Sequence, residues 1–155
     1  MKILIVCVSI IADDAVGNDV VQQFFALRRA GYDVHLYGRH YDGESGRHRL
    51  STGQLQKFLR REDNIIIYHH AVYWEEGERL IKESRCRCFM RYHNITPPEF
   101  FGDYSVEYVQ ATAMGLEQTR RLVASGRFEH YFANSGFTGR DLVRYGVAEG
   151  RISFL

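Results

Sequence analysis

Imidazoles stand at two places where an apolar run gives out. Tyr68-His69-His70 closes the run Ile65-Ile66-Ile67, and Tyr92-His93-Asn94-Ile95-Thr96-Pro97-Pro98 closes Cys88-Phe89-Met90 after a single arginine. An imidazole can accept a proton, donate a hydrogen bond to a developing oxyanion, or bind a metal ion. Successive strand side chains point to opposite faces, so one of His69 and His70 reaches a cleft while its neighbour packs under a helix. The residues leave open which of the two it is. Metal binding would need a third ligand. Glu75, Glu76 and Glu99 have no recognisable ligand spacing, and the Cys86-x-Cys88 pair has no second pair, so neither metal nor cofactor is expected.

Two further polar stretches could serve a ligand. In Asp13-Asp14-Ala15-Val16-Gly17-Asn18, Gly17 would let a guest approach the amides at a helix N-terminus, where phosphate is the natural occupant. A glycine at a strand-to-helix turn is equally at home without a ligand, and the three spaced glycines of a dinucleotide site are absent. In Asn134-Ser135-Gly136-Phe137-Thr138, Ser135 or Asn134 either lines a cleft or caps the next helix. No glycine-x-serine-x-glycine elbow is present, which removes the signature of a serine hydrolase.

The elements that must carry these groups alternate between strand and helix. Ile3 to Val8 is a continuous apolar run rich in branched residues, as expected of a parallel strand covered on both faces. Val20, Val21, Phe24 and Leu27 then recur at helical spacing up to Ala30-Gly31, where glycine can take the left-handed cap. A strand over 33–37 follows. Residues 38–51 are rich in glycine, histidine and charge without an apolar period, and predict an exposed loop long enough for a flap. Ser51-Thr52-Gly53-Gln54 has the form of a capping box before a short helix with Leu55, Phe58 and Leu59. Strands over 64–68, 86–92 and 128–133 alternate with helices over 74–84, over a long stretch marked by Val106, Val109, Ala113, Leu116 and Val123, and around Leu142 and Val143. Residues 151–155 read as one more strand. The expectation is an α/β single domain over 1–155: a doubly wound, Rossmann-like parallel sheet with helices on both faces. Ligands of such sheets bind beyond the strand carboxyl ends, where all four polar stretches fall.

Composition agrees and narrows the function classes. At 155 residues and 45% hydrophobic content the chain can bury one core. The formal charge of +1 supplies no whole-molecule field for nucleic acid. Three cysteines in strands read as buried free thiols of a reducing compartment, and the N-terminal apolar run leads into Asp13-Asp14 instead of a cleavage site. No later stretch approaches the length that spans a bilayer. A cytoplasmic protein is expected. Arg120, Arg121 and Arg127 could offer a local patch for peripheral contact with the inner membrane, but a solvated helix face is the better account of them.

Asp14-Ala15-Val16-Gly17-Asn18-Asp19, Tyr68-His69-His70, Tyr92 to Phe101 (YHNITPPEFF) and Ala133 to Thr138 together give the chain a resemblance to the N-terminal domains of bacterial family 4 retaining glycosyltransferases of GT-B architecture. The resemblance extends over nearly the whole chain, and YHNITPPEFF is its most specific part. It implies two doubly wound domains facing across a cleft, the first binding acceptor and the second holding a nucleotide-sugar donor. By position it puts Gly17 near the donor phosphate, His69 beside the transferred sugar as the catalytic group and His93 on the cleft wall, with Asn18, His70, Asn94 and Ser135 as further substrate-binding residues. It implies a carbohydrate or lipid-linked acceptor. The resemblance also implies that the C-terminal donor-binding domain is absent from this sequence, which makes the chain either a fragment of a two-domain enzyme or one partner of a split enzyme with a separate donor-domain subunit, and inactive alone.

Rival readings make the chain a stand-alone ligand-binding or signalling module. A receiver module is suggested by Asp13-Asp14, but would need an aspartate at the third strand end, where His69 stands, and a lysine after the fifth, where Ala133-Asn134-Ser135 stands. A nucleotide-dependent oxidoreductase lacks its glycine fingerprint.

Overall fold

The computed structural model describes residues 1–11 and 13–155. In chain order its strands are β1 (Ile3–Val6), β2 (Ser9–Ile10), β3 (Val34–Tyr37), β4 (His40–Tyr41), β5 (Ile65–His70), β6 (Arg87–Tyr92), β7 (Phe128–Ala133) and β8 (Ile152–Phe154). Its α-helices are α1 (Ala15–Arg29), α2 (Thr52–Leu59), α3 (Glu75–Glu83), α4 (Val106–Ala124) and α5 (Gly136–Arg144). Six strands form one parallel sheet in the order β3-β1-β5-β6-β7-β8, while β2 and β4 pair separately. The order reverses between β1 and β5, which makes their carboxyl ends the switch-point crevice of a doubly wound sheet.

The sheet divides the core in two. Leu4, Val6, Ile66, Tyr68, Cys88, Met90 and Tyr92 face α2, α3, α4 and α5, through Leu55, Phe58, Leu80, Ile81, Leu122 and Leu142. Ile3, Ile5, Cys7, Val34, Leu36 and Ile67 face Val20 and Phe24 of α1. Right-handed crossovers explain this asymmetry: the chain winds to one side once, from β1 to β3, and every later crossover runs the other way. Helices therefore lie on both faces, but unequally, and α1 is the only α-helix on its side among the described residues.

Local chemistry sets the element ends. The α1 N-cap is Asp14, whose carboxylate accepts from the Gly17 N–H at 3.1 Å, and Gly31 follows the helix with φ of 88°. Ser51 and Gln54 make the reciprocal capping box expected at α2. Ser135 caps α5 by accepting from the Thr138 N–H.

Three sequence expectations differ from the structure. The first strand ends at Val6, and the chain then jogs into β2. A side chain on Gly38 would collide with the Cys7 carbonyl, so the chain after β3 passes too close to that jog for any other residue. Residues 38–51 are not a free loop: β4 pairs with β2, the Ser45 hydroxyl donates to the Ile10 carbonyl at 2.9 Å, and Leu50 N–H donates to Leu36. Backbone pairing anchors the segment where no apolar period announces it. On α4, Gly115, Gln118, Thr119 and Leu122 are the buried residues, whereas Val106 is 68% exposed. Gln118 and Thr119 can be buried because their polar atoms are satisfied: Gln118 accepts from the Trp74 N–H and donates to the Trp74 carbonyl, both at 2.8 Å, and Thr119 donates to the Gly115 carbonyl.

Candidate active site

The alternation of strand side chains decides the histidines. Ile67 and His69 belong to the α1 face of β5, and Ile66, Tyr68 and His70 to the other. His70 therefore runs under α4, where its Nε2 lies 2.8 Å from the Thr119 hydroxyl and the residue is wholly buried. His69 meets His93 on the α1 face, its Nδ1 lying 2.9 Å from His93 Nε2 with the rings edge to edge, their centroids 5.1 Å apart and their planes inclined by 26°. Arg91, two residues before His93, shares that face.

Helix α1 closes the group. Asp19 and Gln23, one turn apart, both project toward the strand tips. Asp19 Oδ2 accepts from Arg91 Nε at 2.9 Å and lies 3.7 Å from His93 Nε2 and 3.9 Å from His69 Nδ1. Gln23 Oε1 lies 2.9 Å from His69 Nε2. The amide oxygen can only accept, so His69 carries its proton on Nε2 and offers the Nδ1 lone pair to the N–H of His93 Nε2. His93 Nδ1 is left as an acceptor with no hydrogen-bond partner among the described residues. The side chain of His69 has no exposed surface, that of His93 is 8% exposed, and Asp19, at 35%, is the cluster's outlet to solvent.

Burial keeps both imidazoles neutral. Desolvation is the largest cause for each: it pushes His69 well below the usual range, helped by His93 and Arg91, and it pushes His93 down to about 4 against the opposing pull of Asp19. His70 is pushed down to about 4, also by burial. The site can therefore exchange hydrogen bonds at neutral pH without carrying an imidazolium. Asp19, His69 and His93 bring one oxygen and two nitrogens close enough together to hold a metal ion.

The other expected residues lie around this group in different states. Gly17 is buried and its N–H is occupied by Asp14. A Cβ there would collide with the Ile11 carbonyl, so close backbone approach by itself accounts for the glycine. Asn18 is exposed on the first turn of α1. Asn94 sits in the left-handed region at φ of 60°, with its Oδ1 buried and unpartnered, directly after His93. A strained residue with an orphaned acceptor at a strand tip is a feature that functional sites collect. Ser135 is engaged in capping, and the Asn134 side chain accepts from the Thr138 hydroxyl at 2.6 Å.

Sequence reasoning misses Asp19, Gln23 and Arg91 as site residues. The available signal is the i, i+4 polar pair Asp19 and Gln23 flanking the buried positions Val20 and Phe24, and the charge of Arg91 inside an otherwise apolar strand. No helix among the described residues is long and apolar enough to cross a membrane. No family model matches the chain, and no curated protein gives a match.

Proposed function

We propose that this chain is the acceptor-side half of a retaining, nucleotide-sugar-dependent glycosyltransferase of the family 4, GT-B kind, which transfers to a hydroxyl of a glycan or lipid-linked acceptor. The observation that carries the reading is the meeting of His69 and His93 at the switch-point crevice, on the strand tips that hold the Tyr68-His69-His70 and YHNITPPEFF stretches. In such a transfer the bond from the anomeric carbon to the diphosphate oxygen breaks and a bond to the acceptor oxygen forms. The acceptor proton passes to the departing phosphate.

The transition state gathers positive charge on the sugar ring, so an imidazolium beside it would oppose the reaction. Neutral His69 and His93 avoid that penalty. His93 Nδ1 is the atom free to accept from a sugar hydroxyl, while Gln23 and His69 fix the His93 ring and its tautomer from behind. Beyond the Pro97-Pro98 corner, Phe100, Tyr104 and Tyr108 stay largely exposed and offer ring faces on which a sugar can stack. The donor would be held by a second doubly wound domain facing this one.

The test is to follow the histidine ring nitrogens by NMR while titrating nucleotide-sugars and oligosaccharide or polyprenyl-linked acceptors separately. Saturable acceptor binding that shifts the His93 signals, with weak response to nucleotide-sugars, is the expected result. Tight binding of a nucleotide-sugar by this chain, with no response to any acceptor, overturns the division of labour.

A further inference from the structure

The sequence offers no third ligand near His69 and His93 on β5 and β6, yet α1 delivers one. The ligand atoms of the trio are His69 Nδ1, His93 Nε2 and Asp19 Oδ2, separated by 2.9, 3.7 and 3.9 Å. An ion equidistant from three atoms so spaced would lie about 2.1 Å from each and in their plane, so a four-coordinate ion with the bond lengths of zinc requires the His69–His93 hydrogen bond to open to about 3.3 Å as the ion replaces it. From the geometry we infer that Asp19, His69 and His93 form a binding site for a divalent transition ion of the zinc type, with a fourth position open to solvent beside Asp19.

The surroundings support two of the three ligands from behind, His69 and Asp19, while His93 Nδ1 faces no protein partner among the described residues. A metal-bound histidine usually donates its other ring N–H to an acceptor, and His69 Nε2 already does so to Gln23 Oε1 at 2.9 Å. A metal-bound carboxylate is itself hydrogen-bonded, and Asp19 Oδ2 accepts from Arg91 Nε at 2.9 Å with a second lone pair to spare. Filling the site takes one proton shift, from Nε2 to Nδ1 of His93, with no change of charge on the protein, and the filled site therefore presents a donor at Nδ1 in place of the acceptor of the empty one. His69 keeps its proton where Gln23 holds it. The neighbouring guanidinium opposes any cation electrostatically. An ion held mainly by ionic attraction to one carboxylate is therefore excluded, while one that bonds covalently to imidazole is retained. Two nitrogens in the donor set point the same way, against Mg²⁺ and Ca²⁺ and toward Zn²⁺ or Co²⁺.

This inference rests on the trio alone and not on sugar transfer. It is tested on the chelator-stripped chain with no donor or acceptor present. Calorimetric titration with ZnCl₂ should give one site, and MgCl₂ none. Co²⁺ should give the visible bands of a four-coordinate nitrogen and oxygen set, without thiolate charge transfer from Cys7, Cys86 or Cys88. X-ray absorption of the zinc-loaded protein should show two imidazoles. Asp19→Asn and His93→Gln should abolish the site, and Gln23→Ala should weaken it by about 10-fold to 100-fold while leaving the ligands in place. Thiolate bands, a count other than two imidazoles, no binding by the unaltered chain, or affinity unchanged in folded Asp19→Asn each overturn it.

Discussion

Arg91 Nε donates to Asp19 Oδ2 at 2.9 Å, which sets a buried guanidinium and a half-exposed carboxylate against two imidazoles that carry no charge. The ion pair is a control on those rings. Asp19 draws a proton toward His93 and Arg91 repels one, so burial and the arginine together leave the ring neutral. Arg91→Met removes the repulsion and frees the Asp19 carboxylate. The His93 pKa should then rise from about 4 toward its ordinary value. An NMR titration of the ring carbons in the two proteins reads the shift directly, and an unchanged or lower value in the variant contradicts the account.

Buried neutral histidines also tie stability to pH. His70 and His93 are pushed down to about 4 in the fold, whereas unfolded histidine takes up a proton below about 6.5. Between those limits the unfolded chain binds more protons, so stability is complete above the upper limit and falls as pH drops toward the lower one. The shift corresponds to about 3 kcal/mol for each ring. Urea unfolding at pH 7.5, 6 and 5 should show this decline, and His93→Gln should flatten it. The Glu78 carboxyl, held down to about 2 by Arg121, Lys82 and Gln118, loses its contribution only at lower pH, which separates the two effects.

Gln118 joins α4 to the start of α3. Its amide satisfies both backbone groups of Trp74 and donates to Glu78 at 3.0 Å, all out of contact with water. Gln118→Ala orphans those groups, and the variant should lose about 3 kcal/mol of unfolding free energy by denaturant titration, since each buried unpaired group costs about 1–3 kcal/mol.

Gly17→Ala should act at a distance. The added methyl meets the Ile11 carbonyl, so α1 must shift or the jog after β1 must open, at a cost of about 1–3 kcal/mol. Because Asp19 and Gln23 ride on the same helix, the ring signals of His69 and His93 should move in the variant, although neither histidine touches residue 17. A melting scan and an imidazole spectrum check the two halves of the expectation.

For the proposed transfer, His93→Ala in the two-domain enzyme should lower kcat by about 100-fold or more, as the loss of a positioned hydrogen-bonding group in a shielded site does. His70→Gln should lower stability and leave kcat nearly intact, because its Nε2 bonds Thr119 beneath α4. Steady-state kinetics on both variants, with melting temperatures beside them, distinguishes a group that meets the sugar from one that holds the sheet.

Much of this fold can be read from residues alone. Uninterrupted branched apolar runs at Ile3–Val6 and Ile65–Ile67 belong to a sheet covered on both faces, and Ser51 with Gln54 fixes a helix start to the residue. The segment 38–51 is not legible, because its anchors are backbone pairs and one buried hydroxyl, which leave no hydrophobic period. The buried face of α4 escapes for a related reason: Gln118 and Thr119 look like surface residues until their partners on Trp74, Gly115 and His70 are known. In the site, the strand tips announce His69 and His93, and strand alternation implies that only one of His69 and His70 can join them. Asp19 and Arg91 stand 72 residues apart and converge through tertiary packing, and nothing in their local sequence states that they meet.

The lopsided winding of the sheet has a last consequence. Since α1 stands alone on its side among the described residues, the strands beyond it, β6 to β8, keep Phe89, His130 and Phe132 only partly covered there. No helix among the described residues roofs that stretch, and the Arg91 guanidinium beside it donates to the Leu155 carbonyl at 3.2 Å. That unroofed stretch was settled when the chain first turned one way and then never turned back.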